Sequence, residues 1–192
     1  MIGIDEVGRG CLAGPLLVVA ARQFGDLPDG LADSKLLTRL QREVIFKRLT
    51  SGVQFGEGWV SAVEINARGL TGAMRLGVRR ALRQLQPAAD DEIIMDGPFN
   101  YLPKTFKRVQ CLIDADALVP LVSAASVYAK VKRDNFMIAL ARRHPHYGFD
   151  NHVGYATAEH LAALRSHGAL KKVHRLFFEP VAILNNLELW PE

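Results

Sequence analysis

The stretch Gly3-Ile4-Asp5-Glu6-Val7-Gly8-Arg9-Gly10-Cys11-Leu12-Ala13-Gly14-Pro15 sets the terms for the rest of the chain. Met1 to Asp5 reads as a short buried strand that stops at a glycine-rich turn, and Leu16 to Ala21 reads as a second strand after Gly14-Pro15. The two are expected to pair as neighbours. Two acids, Asp5 and Glu6, stand where the first strand gives out. Consecutive residues of a regular strand point to opposite faces, so both acids serve one site only if the strand twists, bulges or ends there. Val7-Gly8-Arg9-Gly10 supplies the flexibility. Two glycines around an arginine let backbone amides approach a ligand, with Arg9 as a phosphate fork; a plain tight turn is the alternative.

Further on, Thr38-Arg39-Leu40-Gln41 has capping-box form and predicts a helix to about Leu49, followed by an extended segment from Val53 to Val63. Leu70, Ala73, Met74, Val78, Ala81, Leu82 and Leu85 recur at helical spacing. Glu92 to Met95 and Arg108 to Ile113 read as strands leading into Asp96-Gly97-Pro98 and Asp114-Ala115-Asp116. Pro120 suits the first turn of an Ala-rich helix through about Arg143, with His144-Pro145 as the stop. Thr157 and Gly168 fit as the N-cap and the residue past the end of one more helix. Strands come first and helices crowd the later half, so the expected class is α/β, a mixed sheet covered by helices rather than a clean βαβ alternation.

The chain has 192 residues, 49% hydrophobic and 23% charged, with no repeat, linker or low-complexity segment, which predicts one continuous domain over residues 1–192. Its longest apolar run, Cys11 to Ala21, is broken by Gly14-Pro15 and falls short of the roughly 20 residues a membrane span needs. The two cysteines lack disulfide-framework or zinc spacing, and acids rather than Lys or Arg follow Met1, so a reducing cytoplasm is the expected compartment. The formal charge is +4. From Lys130 to Arg175 nine basic residues face three acids, and all 6 histidines fall in the same region. That asymmetry suits a protein offering carboxylates to a cation and a basic flank to a phosphate backbone, with a solvated helix face as the alternative.

Asp5-Glu6, Asp96 and Asp116 all stand at exits of expected strands. Such acids also serve as turn formers and caps, but gathered together they would repel unless a cation joined them. Hard oxygen ligands select Mg²⁺ or Mn²⁺, and two such ions suit phosphodiester hydrolysis. Asp33-Ser34-Lys35 precedes a helix, where Lys35 either meets a phosphate or sits in a capped loop. Tyr155 after Gly154 either stacks on a sugar or base or packs internally. The histidines lack metal spacing and read as surface or structural groups.

Taken together, the Gly3–Pro15 string resembles the amino-terminal signature of ribonuclease HII. Further blocks agree in order: Asp33-Ser34-Lys35, Met95-Asp96-Gly97, Ser123-Ala124-Ala125-Ser126-Val127-Tyr128-Ala129-Lys130-Val131-Lys132-Arg133-Asp134, Gly154-Tyr155-Ala156-Thr157 with His160, and His174-Arg175 with Phe178 and Pro180-Val181. The resemblance implies an RNase H-like fold, a mixed central β-sheet flanked by helices with additional carboxy-terminal helices. It implies a metal-dependent endonuclease that cuts the RNA strand of RNA/DNA hybrids and DNA containing single ribonucleotides, leaving 3′-hydroxyl and 5′-phosphate ends. Asp5, Glu6, Asp96 and Asp116 would be the catalytic, metal-binding acids. The Gly8-Arg9-Gly10 backbone would meet ribose 2′-hydroxyls, the group by which RNA is told from DNA at one position, and Tyr155 the adjoining deoxyribose.

Two positions depart from the family pattern. Asp114-Ala115 replaces a usual Lys-Gly, placing a second acid two residues before Asp116; on a strand the two would share a face, and alignment with the following helix favours Asp116. Val153 stands where a lysine often precedes the Gly-Tyr pair, which predicts weaker substrate affinity and a shallower salt dependence. With four residues before Asp5, the chain leaves no room for the extra domain of ribonuclease HIII, and a stand-alone monomer of bacterial type is expected. The rivals are a nuclease of the same fold acting on DNA junctions and a non-catalytic hybrid-binding module.

Overall fold

The structure, a computed structural model, describes residues 1–31 and 37–187. Strands β1 (Ile2–Val7) and β2 (Leu16–Gln23) open the chain, followed by α1 (Arg39–Leu49), β3 (Val53–Val60) and α2 (Ala62–Leu85). Then come β4 (Glu92–Asp96), β5 (Arg108–Leu112), the one-turn α3 (Ala115–Leu118) and the long α4 (Pro120–Ala141). A 3₁₀ turn, Pro145–Tyr147, leads to α5 (Phe149–His152), α6 (Ala158–His167) and α7 (Glu179–Leu187). The five strands form one sheet in the order β3-β2-β1-β4-β5. β1 runs antiparallel to β2 and parallel to β4, and β4 is parallel to β5. The mixed sheet expected from the sequence is therefore present.

Residue contacts divide the chain into two compact units. One comprises Met1–Val7, Leu17–Trp59 and Met74–Lys132; the other comprises Gly8–Leu16, Val60–Ala73 and the chain from Arg133 onward. In the first, Leu17, Val19 and Ala21 of β2 pack with Leu49 of α1 and with Leu121, Ala124 and Ala125 of α4. Central β1 is buried throughout its first half because helices cover what a half-exposed strand would give to water. Gly3 is required there: a Cβ would collide with the α4 backbone at Leu121 and Val122. In the second unit, Leu12, Met137, Ala141, Tyr147, Phe149, Leu164 and Val181 form a separate apolar cluster.

Local chemistry explains most boundaries. Thr38 accepts from the Gln41 N–H while Gln41 accepts from the Thr38 N–H, closing the expected capping box at the start of α1. Thr157 likewise accepts from the His160 N–H and starts α6. The extended reading to Val63 is corrected: Ser61 and Glu64 form a second capping box, with 2.9 Å from the Ser61 N–H to Glu64 Oε2, and α2 begins at Ala62. It is interrupted at Gly69 (φ 66°), just before the apolar stripe that the sequence showed. The strand reading of Asp114 and Asp116 is also corrected. β5 ends at Leu112, Asp114 adopts a left-handed conformation (φ 57°), and Asp116 sits in α3, so the two share no strand face. Among the described residues no helix is long and apolar enough to cross a membrane.

Candidate active site

Asp5, Glu6, Asp96 and Asp116 all line one cavity of about 360 Å³, with Val7, Arg42, Ser126, Val127 and Lys130. Parallel pairing aligns Ile4 of β1 with Met95 of β4, so Asp5 and Asp96 are the next residues along two neighbouring strands. The β1–β2 ladder continues without a bulge through Val7, whereas the β1–β4 pairing stops at Ile4. Beyond that point β1 has no β4 neighbour, and it is there that Glu6 joins Asp5 in the cavity. Asp5 also folds back along the chain, its Oδ1 accepting from the Glu6 N–H at 2.7 Å. Asp96 Oδ1 accepts from the Ala115 N–H at 2.7 Å, anchoring the first turn of α3 and with it Asp116. Asp116 is buried and Asp114 lies outside the cavity lining.

Burial pushes the Asp5 carboxyl up to about 8, and the charges of Glu6 and Asp96 push the same way, while hydrogen bonds from Ser126 and the Glu6 N–H oppose them. A carboxylate cluster in this state favours an incoming cation. The donor set is all oxygen, with no thiolate or imidazole in the lining, and so fits Mg²⁺ or Mn²⁺ rather than a softer metal. Among the described residues no three acidic, histidine or cysteine side chains already stand as a closed ligand set. The carboxylates would supply part of a coordination sphere that water and phosphate oxygens complete, as Mg²⁺ prefers.

Sequence reasoning did not single out Ser126, Lys130 or Arg42. Ser126 and Lys130 are four apart on α4 and therefore share a face, a spacing that could have flagged them. Arg42 carries no such signal; its Nη2 donates to the Leu37 carbonyl at 2.7 Å while the side chain borders the cavity.

The other candidates fall in the second unit, apart from Lys35, which lies outside the described residues. Gly8 has φ 84°, and a Cβ there would land on the Arg133 guanidinium, so the turn admits only glycine at this point. Arg9 is partly exposed and Gly10 exposed. Tyr155 is 43% exposed. Burial of the rest of its ring, then the Cys11 thiol to which it is hydrogen-bonded, raise its hydroxyl above the usual tyrosine value, which keeps the phenol neutral.

Comparison with known proteins gives this geometry its context. The family model described as Ribonuclease HII matches residues 2–181. A ribonuclease HII from Wolbachia pipientis subsp. Culex pipiens is 41% identical over 185 residues, covering 95% of this chain and 91% of that protein. Among solved structures, the PCNA:RNase HII complex from Archaeoglobus fulgidus contains a chain that superposes with a TM-score of 0.77 at 25% identity, covering 92% of this chain and 94% of the other. Bst-RNase HIII in complex with Mn²⁺ shares the fold at a TM-score of 0.70 and 23% identity, covering 97% of this chain and 69% of that one. The mixed five-stranded sheet with its flanking helices is thus an RNase H-like fold. With a family model spanning nearly the whole sequence and a relative this similar over 95% of it, the chain belongs to the ribonuclease HII family.

Proposed function

We propose that Asp5, Glu6, Asp96 and Asp116 hold Mg²⁺ or Mn²⁺ and that the chain incises duplex DNA at single ribonucleotides as well as cutting the RNA strand of hybrids, leaving 3′-hydroxyl and 5′-phosphate ends. As a ribonuclease HII it is an endonuclease of RNA/DNA hybrids that depends on a divalent cation. The observation that carries the finer assignment is the placement of all four acids, from β1, β4 and α3, in the lining of one cavity. Bound divalent ions would lower the pKa of an attacking water and stabilise the leaving oxygen. Asp5 is presented from within β1 just past its last pairing with β4, Asp96 from the end of β4, Asp116 from a helix turn pinned by Asp96, and Ser126 holds the Asp5 carboxyl. Lys130 brings a positive charge to the same lining, where it would meet a phosphate oxygen.

Gly8, Arg9 and Gly10 would contact the ribose 2′-hydroxyl and its phosphate, Tyr155 the neighbouring deoxyribose, and Lys35 the backbone. We further propose that the chain works as one catalytic domain and as a monomer in the cytoplasm. Asp5→Asn should nearly abolish cleavage of a DNA duplex containing one ribonucleotide while leaving binding largely intact; cleavage at the normal rate would refute the assignment. An all-DNA duplex run in parallel should remain uncut, since only recognition of the 2′-hydroxyl distinguishes it.

A further inference from the structure

The turn assigned to the 2′-hydroxyl and the loop carrying Tyr155 are braced by one short segment, Val173 to Leu176. Arg175 is completely buried. Its Nη1 donates to the Arg9 carbonyl at 2.7 Å and its Nη2 to the carbonyls of Gly8 (2.5 Å) and Gly14 (3.2 Å). In a trans peptide the N–H points opposite the carbonyl. Turning the Gly8 and Arg9 carbonyls onto the guanidinium therefore directs the Arg9 and Gly10 N–H groups away from it. The backbone is tied to the same turn, Arg175 N–H to the Leu12 carbonyl at 2.8 Å and Gly14 N–H to the Val173 carbonyl at 2.8 Å.

His174, also completely buried, reaches the other loop through a directed chain. The Leu170 N–H donates to His174 Nδ1 (2.9 Å), His174 Nε2 meets His160 Nε2 (3.1 Å), and His160 Nδ1 meets the Tyr155 carbonyl (2.8 Å). An amide nitrogen only donates and a carbonyl only accepts, so His174 carries its proton on Nε2 and His160 on Nδ1. One neutral tautomer of each ring satisfies every partner. His152 stacks on His160 at 4.5 Å and accepts the Gly154 N–H, holding the residue before Tyr155.

We propose that His174 and Arg175 are positioning residues for substrate: Arg175 sets the Gly8–Gly10 backbone, and His174, acting through His160, sets Tyr155. This rests on the assignment of those two loops to the ribonucleotide junction. Neither side chain touches the substrate; each removes freedom that binding would otherwise have to remove.

Two variants at one position separate positioning from mere packing. His174→Asn keeps an oxygen where Nδ1 accepts from Leu170 but is too short to reach His160; His174→Gln reaches His160 and loses the Leu170 bond. On a duplex with a single ribonucleotide at saturating Mg²⁺, His174→Asn should raise KM about tenfold and His174→Gln less than about threefold, the scale of one hydrogen bond, with kcat little changed. In a Tyr155→Ala background His174→Asn should add nothing further. Equal effects of the two variants, or additivity with Tyr155→Ala, would overturn the proposal. If thermal unfolding shows that His174→Asn does not fold, His160→Asn, which keeps a donor to the Tyr155 carbonyl and loses only the bond to His174, replaces it and should likewise raise KM about tenfold; an unchanged KM would overturn the proposal.

Arg175→Lys, retaining charge without the three-carbonyl fork, should raise KM for the ribonucleotide duplex about tenfold while leaving affinity for all-DNA duplex unchanged; equal loss on both would overturn its role. The wild-type protein distinguishes the levels. If it shows no preference for the ribonucleotide duplex, or if Tyr155→Ala leaves KM unchanged, the loop assignment itself fails and this proposal with it. If both controls behave and the His174 or Arg175 results do not, only the positioning role fails.

Discussion

Replacing His174 with glutamine should change how stability depends on pH, in a direction that the burial of this ring dictates. Burial, reinforced by the neighbouring His160, lowers the His174 pKa from 6.5 to about 3. Between those values the unfolded chain binds a proton that the folded chain refuses, so stability is lost as pH falls through 6.5. At pH 5 this amounts to about 2 kcal/mol and at pH 7.5 to almost nothing, with no discount for solvent because the ring is fully buried. His174→Gln removes this acid-linked cost but leaves the Leu170 N–H without its acceptor, a loss of about 1–3 kcal/mol at either pH. Urea unfolding at pH 7.5 should thus find the variant less stable than wild type, and the gap should narrow by about 2 kcal/mol at pH 5. Asp5, whose raised pKa acts with the opposite sign, is common to both proteins and cancels in the comparison. A gap that is constant or that widens toward pH 5 would refute the placement of a neutral, desolvated His174.

Gly8→Ala should cost about 1–3 kcal/mol in urea unfolding and raise KM, because the added methyl meets the Arg133 guanidinium at a positive φ; an unaltered midpoint would contradict the turn geometry. Glu57→Gln should destabilise by about 1–3 kcal/mol without altering KM, since Glu57 accepts from Trp59 (2.6 Å) and Tyr128 (2.7 Å) and pairs with Lys132 (3.0 Å); a KM change would link this cluster to substrate. Val153→Lys should steepen the slope of log affinity against log salt by about 0.9, read from binding titrations at several salt concentrations, and an unchanged slope would place residue 153 away from phosphate. Chelation of divalent cations should stop cleavage, and Mg²⁺ or Mn²⁺ should restore it; turnover in chelator would exclude the carboxylate site as the source of activity.

The Thr38–Gln41 capping box, the Thr157 N-cap, the apolar stripe of α2 and the two strands around Gly8–Pro15 were legible in sequence because each depends on residues a few positions apart. The Ser61–Glu64 cap was equally local and was obscured by the alternating apolar residues before it, which read as a strand continuing to Val63. The grouping of Asp5, Asp96 and Asp116 was of another kind. Periodicity places each acid at a strand exit and goes no further, since what brings Asp5 beside Asp96 is the parallel pairing of β1 with β4, far apart in sequence, and what brings Asp116 is the hydrogen bond from the Ala115 N–H to Asp96. Only the resemblance to a family joined them beforehand. Asp114 shows the limit most clearly: its left-handed conformation turned a supposed strand into the entrance to a helix turn, and no pattern of hydrophobicity announces that. The histidines read from sequence only as surface or structural groups, because the directed hydrogen bonds of the buried ones depend on backbone groups that no side-chain pattern reveals.

The two units satisfy buried charge in different ways, and the difference bears on function. In the first, four carboxylates line one cavity with Arg42 and Lys130, and burial together with the charges of Glu6 and Asp96 raises the pKa of Asp5, which favours a further cation there. In the second, the guanidinium groups of Arg133 and Arg175 are fully buried yet are met from within the unit by carbonyls of the Gly8–Pro15 turn and of Val153. Such a pair of cations needs no ligand to hold the turn in shape. On the proposed assignment, loss of metal would strip the chemistry from the carboxylates and leave the hydrogen bonds of the turn in place. This is why Asp5→Asn should retain binding, whereas Arg175→Lys should lose discrimination while its carboxylates remain in place.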